Sequence, residues 1–439
     1  MNFQKFFDLA KAKGLSESQI QISKSNNLSI GLFHKEIDSY KVSSSQSVIA
    51  CGIYNGKFGS CRSEKIGSDT FEYLIEGIIS SASINEKSEK AELFAGSEKY
   101  HKKNVYSVAL ANTPVEKKIA LLHEIEDGIA AEPGINEVEG VHYSDSESVS
   151  EFHNSRGVNL KQKGNYFVVY ASAMAEKGGE KKTGFDIASG DDISKLDVKA
   201  FVKRAATRAT SKFGGVQCTS GSYPTVISND VFSDLIEYYV SAASAEDVQK
   251  KSSFLGGKLH QKIASSKVSI AEKPLTKNIF FSYFDDEGVA AQNKDILKRG
   301  VLETYLYNRE AAKKDGVEST GNGQWEGDKI GIGYSNIFVK KGKQSFDEMI
   351  SPIKEGVYIT EIAGLGTGMN ANSGNFSCQA EGFMIRDGKI AEPLSLITLS
   401  GSLLKMMKDV KALDSNELTT VSSITCPDVY VKAMSIGGK

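Results

Sequence analysis

The sequence is poor in proline, cysteine, histidine and tryptophan, with 7, 5, 6 and 1 of these among 439 residues. No apolar stretch reaches the roughly 18 residues of a membrane-spanning helix. The start, MNFQKFFDLAKAKG, intersperses charges with its apolar residues, so it reads as an amphipathic helix and not as a signal peptide. The five cysteines (Cys51, Cys61, Cys218, Cys378 and Cys426) are odd in number and widely spread. That argues against a disulfide framework and fits reduced thiols in a cytoplasmic protein. On that expectation the glycosylation-like triplets at Asn27 and Asn375 arise by chance. His34, His101, His123, His142, His153 and His260 show no metal-ligand spacing, and neither HExxH nor HExxxH occurs. Charge of one sign is missing too. Fifty-three Lys+Arg against 55 Asp+Glu leave a net charge of −2, with no basic excess to draw nucleic acid or an anionic membrane.

What is present is an ordinary globular mix, 40% hydrophobic and 25% charged, with 41 glycines. The length exceeds one ordinary core and suggests at least two domains. Phe3, Phe6, Phe7 and Ala10 make one face of a first helix that ends at Gly14. Alternating segments follow, split by Asn26-Asn27 and by Asn55-Gly56, which read as hairpin turns. Asp69, with Glu72 three residues on, reads as the N-cap of a second helix. Thr113-Pro114 opens another, whose face is Val115, Ile119, Leu122, Ile125 and Ile129. Strands return from about 135 to 188, although 176–191 reads as a polar, glycine-rich loop. Ser194 and Asp197 cap a helix faced by Val198, Phe201, Val202, Ala205 and Ala209, stopping at Gly214-Gly215. One more helix begins near Asn229, with Phe232, Leu235, Ile236, Tyr239, Val240 and Ala243 inward. Beyond 250 short strands and glycine dominate, which argues against a doubly wound parallel sheet. The fold class is α+β: an N-terminal α+β domain with antiparallel strands and long helices over 1–220, then a mostly β C-terminal domain over 221–439. No repeat of 20–50 residues is evident.

Local motifs give no self-evident active site. Gly364-Leu-Gly366-Thr-Gly368 is followed by more loop instead of a helix, so it reads as turn glycines and not as a phosphate cradle. Ser402-x-x-Lys405 has the spacing of serine–lysine hydrolases, but chance supplies such pairs in a chain this rich in both residues. Asp285-Asp286-Glu287 at a strand end suits a divalent ion or a positive peptide group. It suits equally a solvated acidic turn closed by Gly288, and the residues alone leave both open.

Taken in order, a set of short segments is more specific: KSSFL (251–255), FDDEG (284–288), GVLETYL (300–306), STGNG (319–323), YSN (334–336), GVYITE (356–361), SGNFS (373–377), GFMI (382–385) and LSG (399–401). In this order and spacing they resemble the TldD/PmbA family, often labelled modulators of DNA gyrase. The resemblance runs from about residue 220 to the end and is weaker before it.

The resemblance implies a cytoplasmic, zinc-dependent peptidase system acting on unfolded or extended peptides, built from paired TldD and TldE (PmbA) subunits. The TldD branch carries HExxxH on a helix and a cysteine near the C-terminus. Here the helix is the one starting near Asn229, and the three positions hold Tyr238, Tyr239 and Ala243; the cysteine is Cys426. The chain thus resembles the TldE/PmbA branch, inactive alone, with no cofactor of its own and zinc belonging to a TldD-like partner. The expected partners are a second copy or a TldD-like subunit, and an unfolded peptide, with no nucleic acid and no membrane. Residues that suit peptide holding are Asp286, Glu287, Asn322, Gly323, Ser335, Asn336, Gly364, Gly366 and Ser377, since glycines admit a close backbone and the others offer hydrogen bonds. The alternative is a non-proteolytic, protein-binding regulator of the DNA gyrase modulator type.

Overall fold

The computed structural model describes residues 2–67, 69–86 and 91–439. The first half runs α1 (Phe3–Ala12), β1 (Leu15–Phe33), β2 (Glu36–Tyr54), β3 (Lys57–Ser63), α2 (Thr70–Ile84), the short α3 (Val108–Ala111), α4 (Val115–Ala130), β4 (Ile135–Asn154), β5 (Asn159–Lys177), β6 (Glu180–Gly190) and α5 (Val198–Thr210). Its strands form one antiparallel sheet in the order β3-β2-β1-β4-β5-β6.

That order reads outward from the β1–β4 pair because the half is built twice. Each unit has a helix, a left-handed glycine (Gly14 or Gly134) and a strand with a bulge at its start. Two further antiparallel strands and a closing helix complete it. In both units a glycine lies where the third strand meets the closing helix. A Cβ on Gly59 would sit 2.1 Å from the Ile78 carbonyl, and one on Gly184 2.2 Å from the Ala209 nitrogen. The helices cover one sheet face at its two ends. Phe6, Ile20, Ile22, Leu74 and Ile78 form one core, and Leu28, Ile30, Leu122, Ile125 and Phe201 the other.

Several turn expectations are corrected. Asn26-Asn27 lies inside β1, paired with Ser44 and Ser43 on one side and Glu147 and Ser146 on the other. Ladders on both sides outweigh the local turn preference of asparagine. The hairpin instead turns at His34-Lys35, both with positive φ (51° and 63°), whereas the Asn55-Gly56 turn is where the sequence puts it. Residues 180–190 are strand β6, not loop; only Gly178-Gly179 turns there. Asp69 precedes α2 without capping it, because its carboxylate pairs with Lys65 at 2.6 Å. The cap of α5 is Asp197, accepting from the Ala200 N–H at 2.9 Å, and not Ser194, which lies in a separate 3-10 turn over Ile193–Lys195; α5 stops at Thr210, before Gly214-Gly215.

The second half runs β7 (Gly221–Ile227), α6 (Asn229–Ser241), α7 (Ala245–Gln249), β8 (Ile270–Glu272), β9 (Lys294–Lys298), β10 (Val301–Leu302), α8 (Arg309–Asp315), β11 (Gly323–Glu326), β12 (Lys329–Ile332), β13 (Ile337–Val339), α9 (Phe346–Ile350), β14 (Glu355–Ala363), α10 (Leu365–Gly368), β15 (Met369–Asn370), β16 (Asn375–Arg386), β17 (Lys389–Ser402), α11 (Leu403–Lys408), β18 (Val410–Leu413), β19 (Leu418–Thr419), β20 (Ile424–Cys426) and β21 (Val429–Gly437). One sheet is ordered β10-β9-β8-β13-β20-β19. Another is ordered β14-β7-β21-β17-β16-β15, and because β16 also pairs with β14, five of its strands close into a ring. Among the described residues the only parallel pairs of named strands are β7–β14 and β13–β20, so the sheets are not doubly wound. Helix α6 packs against β14 and β20, and its Phe232, Leu235, Ile236, Tyr239 and Val240 enter the largest core.

The two glycine contacts yield a direct test. Gly59→Ala and Gly184→Ala should each lower unfolding free energy by about 1–3 kcal/mol, read by chemical denaturation. Gly366→Ala, with nothing near its Cβ position, should change it by under about 0.5 kcal/mol.

Candidate functional site

Helix α6 starts where Ser228 accepts from the Val231 N–H and Asp428 accepts from the Asn229 N–H at 2.7 Å. Its apolar residues recur at helical spacing and turn inward. Tyr239 is among them, with 0% exposure and its ring 5.9 Å from that of Phe254. Its hydroxyl is buried and has no hydrogen-bond partner. Tyr238 is half-buried at the edge of the same core. Ala243 is fully buried, but it lies past the end of α6, which stops at Ser241. The backbone leaves the helix there because the Ala243 carbonyl accepts from the Leu306 N–H at 2.8 Å and Ser244 caps α7. The placement of Ala243 on the helix itself is therefore corrected.

Cys426, on β20, is fully buried, and its thiol donates to the Asn229 carbonyl at 3.2 Å. Burial pushes this thiol well up, and the carboxylates of Asp428, Asp230 and Asp234 push it further. Asp428 is itself pushed up to about 6, chiefly by burial, while it accepts from Tyr358 at 2.9 Å. A catalytic zinc takes three protein ligands and a water. Two phenols, a methyl group and a protonated thiol do not supply them. Among the described residues no three His, Cys, Asp or Glu side chains are grouped to hold a metal ion.

Beside the exposed face of α6 a cleft of about 530 Å³ opens toward β11 and β12. Glu237, Asp247, Glu326 and Tyr334 line it, and the sequence reading did not single out this set. Nothing in the spacing of 237, 247 and 326 marks them; only the packing of α6 and α7 against the β11–β12 hairpin brings them together.

The acidic segment at 285–287 is neither a cation site nor a solvated turn. Asp285 accepts from the N–H groups of Glu287 (2.9 Å), Val289 (2.8 Å) and Gly323 (2.8 Å). Asp286 accepts from Gln21 Nε2 at 2.7 Å and from the Trp325 N–H at 2.9 Å. Glu287 accepts from the Arg309 N–H at 2.7 Å. Gln21 belongs to β1, so this knot fastens the first sheet to the second half; Trp325 Nε1 donates back to Gln21 Oε1 at 3.1 Å. A Cβ on Gly323 would lie 2.7 Å from the Glu287 carboxylate, so a larger residue would have to displace that side chain.

Next to the knot lies a buried polar cluster. Glu272, 2% exposed, pairs with Lys294 at 2.5 Å and accepts from Asn322 and from the Ser335 N–H, both at 2.9 Å. Asn336, with 0% exposure and φ of 54°, bonds the Lys273 carbonyl at 3.0 Å and exchanges bonds with Asn278. The side chains of Asn322 and Asn336 are thus engaged inside the protein. Gly364, Gly366 and Ser377 lie elsewhere. The first two belong to the exposed turn at α10, and Ser377 bonds Ser400 at 2.8 Å on β16. The proposed peptide-holding residues therefore fall in two separate groups, and Glu272, Lys294, Gln21 and Trp325 are partners that sequence spacing could not reveal.

The PmbA/TldA metallopeptidase central domain matches residues 109–213, and the PmbA/TldA metallopeptidase C-terminal domain matches residues 220–438. The chain belongs to the PmbA/TldD family. It is 25% identical to the metalloprotease PmbA of Escherichia coli O157:H7 over 98% of this chain and 94% of that one. It is 34% identical to a metalloprotease of Methanothermobacter thermautotrophicus over 63% and 62% of the two chains. A crystal structure from Thermotoga maritima, described as a proposed modulator of a DNA gyrase, superposes with a TM-score of 0.92 at 28% identity, covering 99% of both chains. TldE from Thermococcus kodakarensis shares the fold, with a TM-score of 0.90 at 22% identity over 99% of this chain and 100% of that one.

Two consequences can be measured. Tyr239→Phe removes a buried hydroxyl that bonds nothing, so it should leave stability unchanged or raise it by about 1 kcal/mol; a loss in chemical denaturation would show that the hydroxyl has a partner. Burial pushes the Glu287 carboxyl up from its ordinary 4.5 to about 7. The folded state therefore keeps a proton that the unfolded chain sheds across that window. This contribution is full below about pH 4.5 and is lost as pH rises toward 7. Asp285 beside it is also pushed up by burial, so Glu287→Gln should reduce, not abolish, the fall in stability across that window, measured by denaturation at fixed pH steps.

Proposed function

We propose that this chain is a TldE/PmbA-like subunit that holds no catalytic zinc and pairs with a TldD-like subunit that keeps HExxxH. In this reading it helps hold unfolded or extended peptides in the cytoplasm. The observation that carries it is the state of α6: carbon and one unpartnered phenol fill the inward positions where a TldD-type helix would present its ligands and general base. With no ligand set there is no metal-bound water to activate, so the chain alone lacks the means to hydrolyse a peptide bond. The surrounding fold is kept, and the resemblance in order and spacing extends over the strands around α6. That is expected of a subunit retained for assembly and peptide handling.

A digest of unfolded casein tests the reading, with this chain alone, a TldD-like subunit alone, both together, and both with chelator. The chain alone should give background cleavage. The mixture should exceed the TldD-like subunit by several-fold, and the chelator should abolish the activity. Chelator-insensitive cleavage by this chain alone would point to another nucleophile. Failure of every HExxxH partner to respond would favour the non-proteolytic regulator instead.

A further inference from the structure

Outer backbone groups of a sheet must be paired, covered or guarded, because an open strand edge invites another strand. The first sheet treats its edges unequally. Strand β3 is covered: Asn85 bonds the Phe58 carbonyl at 2.9 Å and Ser81 accepts from the Ser60 N–H at 3.3 Å. On β6, Arg208 and Lys212 donate to the outward carbonyls of Phe185 and Thr183, both at 3.1 Å. Strand β2 differs. β3 pairs only with residues 48–54 of it, so 37–47 form an outer edge of eleven residues, about 36 Å long at ~3.3 Å per residue. Among the described residues no strand or side chain bonds the backbone of that stretch on its outer side.

The register shows which groups are open. Tyr54 and Lys57 flank the two-residue Asn55-Gly56 turn and exchange hydrogen bonds, so even-numbered residues of β2 from Tyr40 to Tyr54 point their N–H and C=O toward the β3 side, up to the bulge at Asp38. Beyond Val48 the open groups are those of Tyr40, Val42, Ser44 and Gln46. The two faces beside this edge contrast. On the face shared with Leu28 and Ile30, Val42 and Tyr40 are 69% and 50% exposed. On the other, register aligns Ser23 and Ser25 with Ser47 and Ser45 of β2 and with Ser150 and Ser148 of β4. They line an open trough of about 670 Å³.

We propose that residues 37–47 of β2 bind an extended polypeptide strand by backbone pairing, with its side chains alternating between the Tyr40–Val42 ledge and the serine trough. The class of occupant rests on the peptide-handling reading above; the location does not. Small serines leave room for varied side chains, so pairing would depend little on sequence. The exposed Tyr40–Val42 ledge and the serine trough flank the edge on opposite faces, as the alternating side chains of one added strand require, and that strand is the occupant proposed.

The test is hydrogen exchange of the full chain with and without a fluorescein-labelled unfolded casein peptide, alongside light scattering. Exchange at Tyr40, Val42, Ser44 and Gln46 should slow at least tenfold with peptide and not with protein concentration. Ser44→Pro removes one outward donor and leaves the β1 ladder intact, so it should weaken peptide binding at least tenfold with an unchanged melting curve. Ser43→Pro, on the inward side, should instead destabilise the sheet. Protection of 37–47 that grows with protein concentration and needs no peptide would identify a second copy and overturn the proposal. Peptide protection confined to the second half would also overturn it while leaving the peptide-handling reading intact. Absence of peptide binding anywhere would remove both.

Discussion

Hydrocarbon cannot hold a metal ion, and the helix at the centre of the second half has hydrocarbon on its inward side. The core that α6 anchors contains Phe232, Leu235, Ile236 and Tyr239 against strands of two sheets, and burial of such side chains contributes about 1.5–3 kcal/mol each. The price of that packing is chemistry: Tyr239 keeps a hydroxyl with no partner, and Cys426 keeps a proton because its surroundings are buried and acidic. These groups pack the core and, as a buried phenol and a protonated thiol, offer a metal ion poor ligands.

The same economy appears where the halves meet. Six donors converge on Asp285, Asp286 and Glu287, drawn from β1, the start of α8, the β11 strand and the turn itself. Several bonds converging on neighbouring carboxyl groups fix orientation as well as position. A second fastening lies at the far end of α5, where Arg208 bridges Asp186 of β6 and Asp230 of α6. The first sheet is therefore fastened to the second half at β1 and at β6, while the outer half of β2 projects free of these contacts.

Much of this is legible in the sequence, for identifiable reasons. Helices announce themselves where apolar residues recur at helical spacing, as in α1, α4, α5 and α6. The Asn55-Gly56 turn is legible because that pair favours the required backbone twist. Asn26-Asn27 misleads because two flanking ladders override a local preference, and β6 is hidden because lysines and glycines break its alternation. The duplication of the first half escapes notice since it resides in glycine and bulge positions spaced far beyond a short repeat. In the candidate site, that Tyr238 and Tyr239 are neither histidine nor glutamate can be read directly from the residues, at the positions the family resemblance implies. The partners of Asp286, Asn322 and Asn336 cannot, because Gln21, Glu272 and Asn278 are brought to them only by the fold.

The central proposal is that this chain, with the PmbA/TldD fold, holds no catalytic zinc. Zinc analysis of the purified full chain, expressed with zinc in the medium and then dialysed, addresses it most directly. The account predicts far less than one zinc per chain, unchanged in Cys426→Ser. About one zinc per chain that survives dialysis and is lost in Cys426→Ser would contradict it.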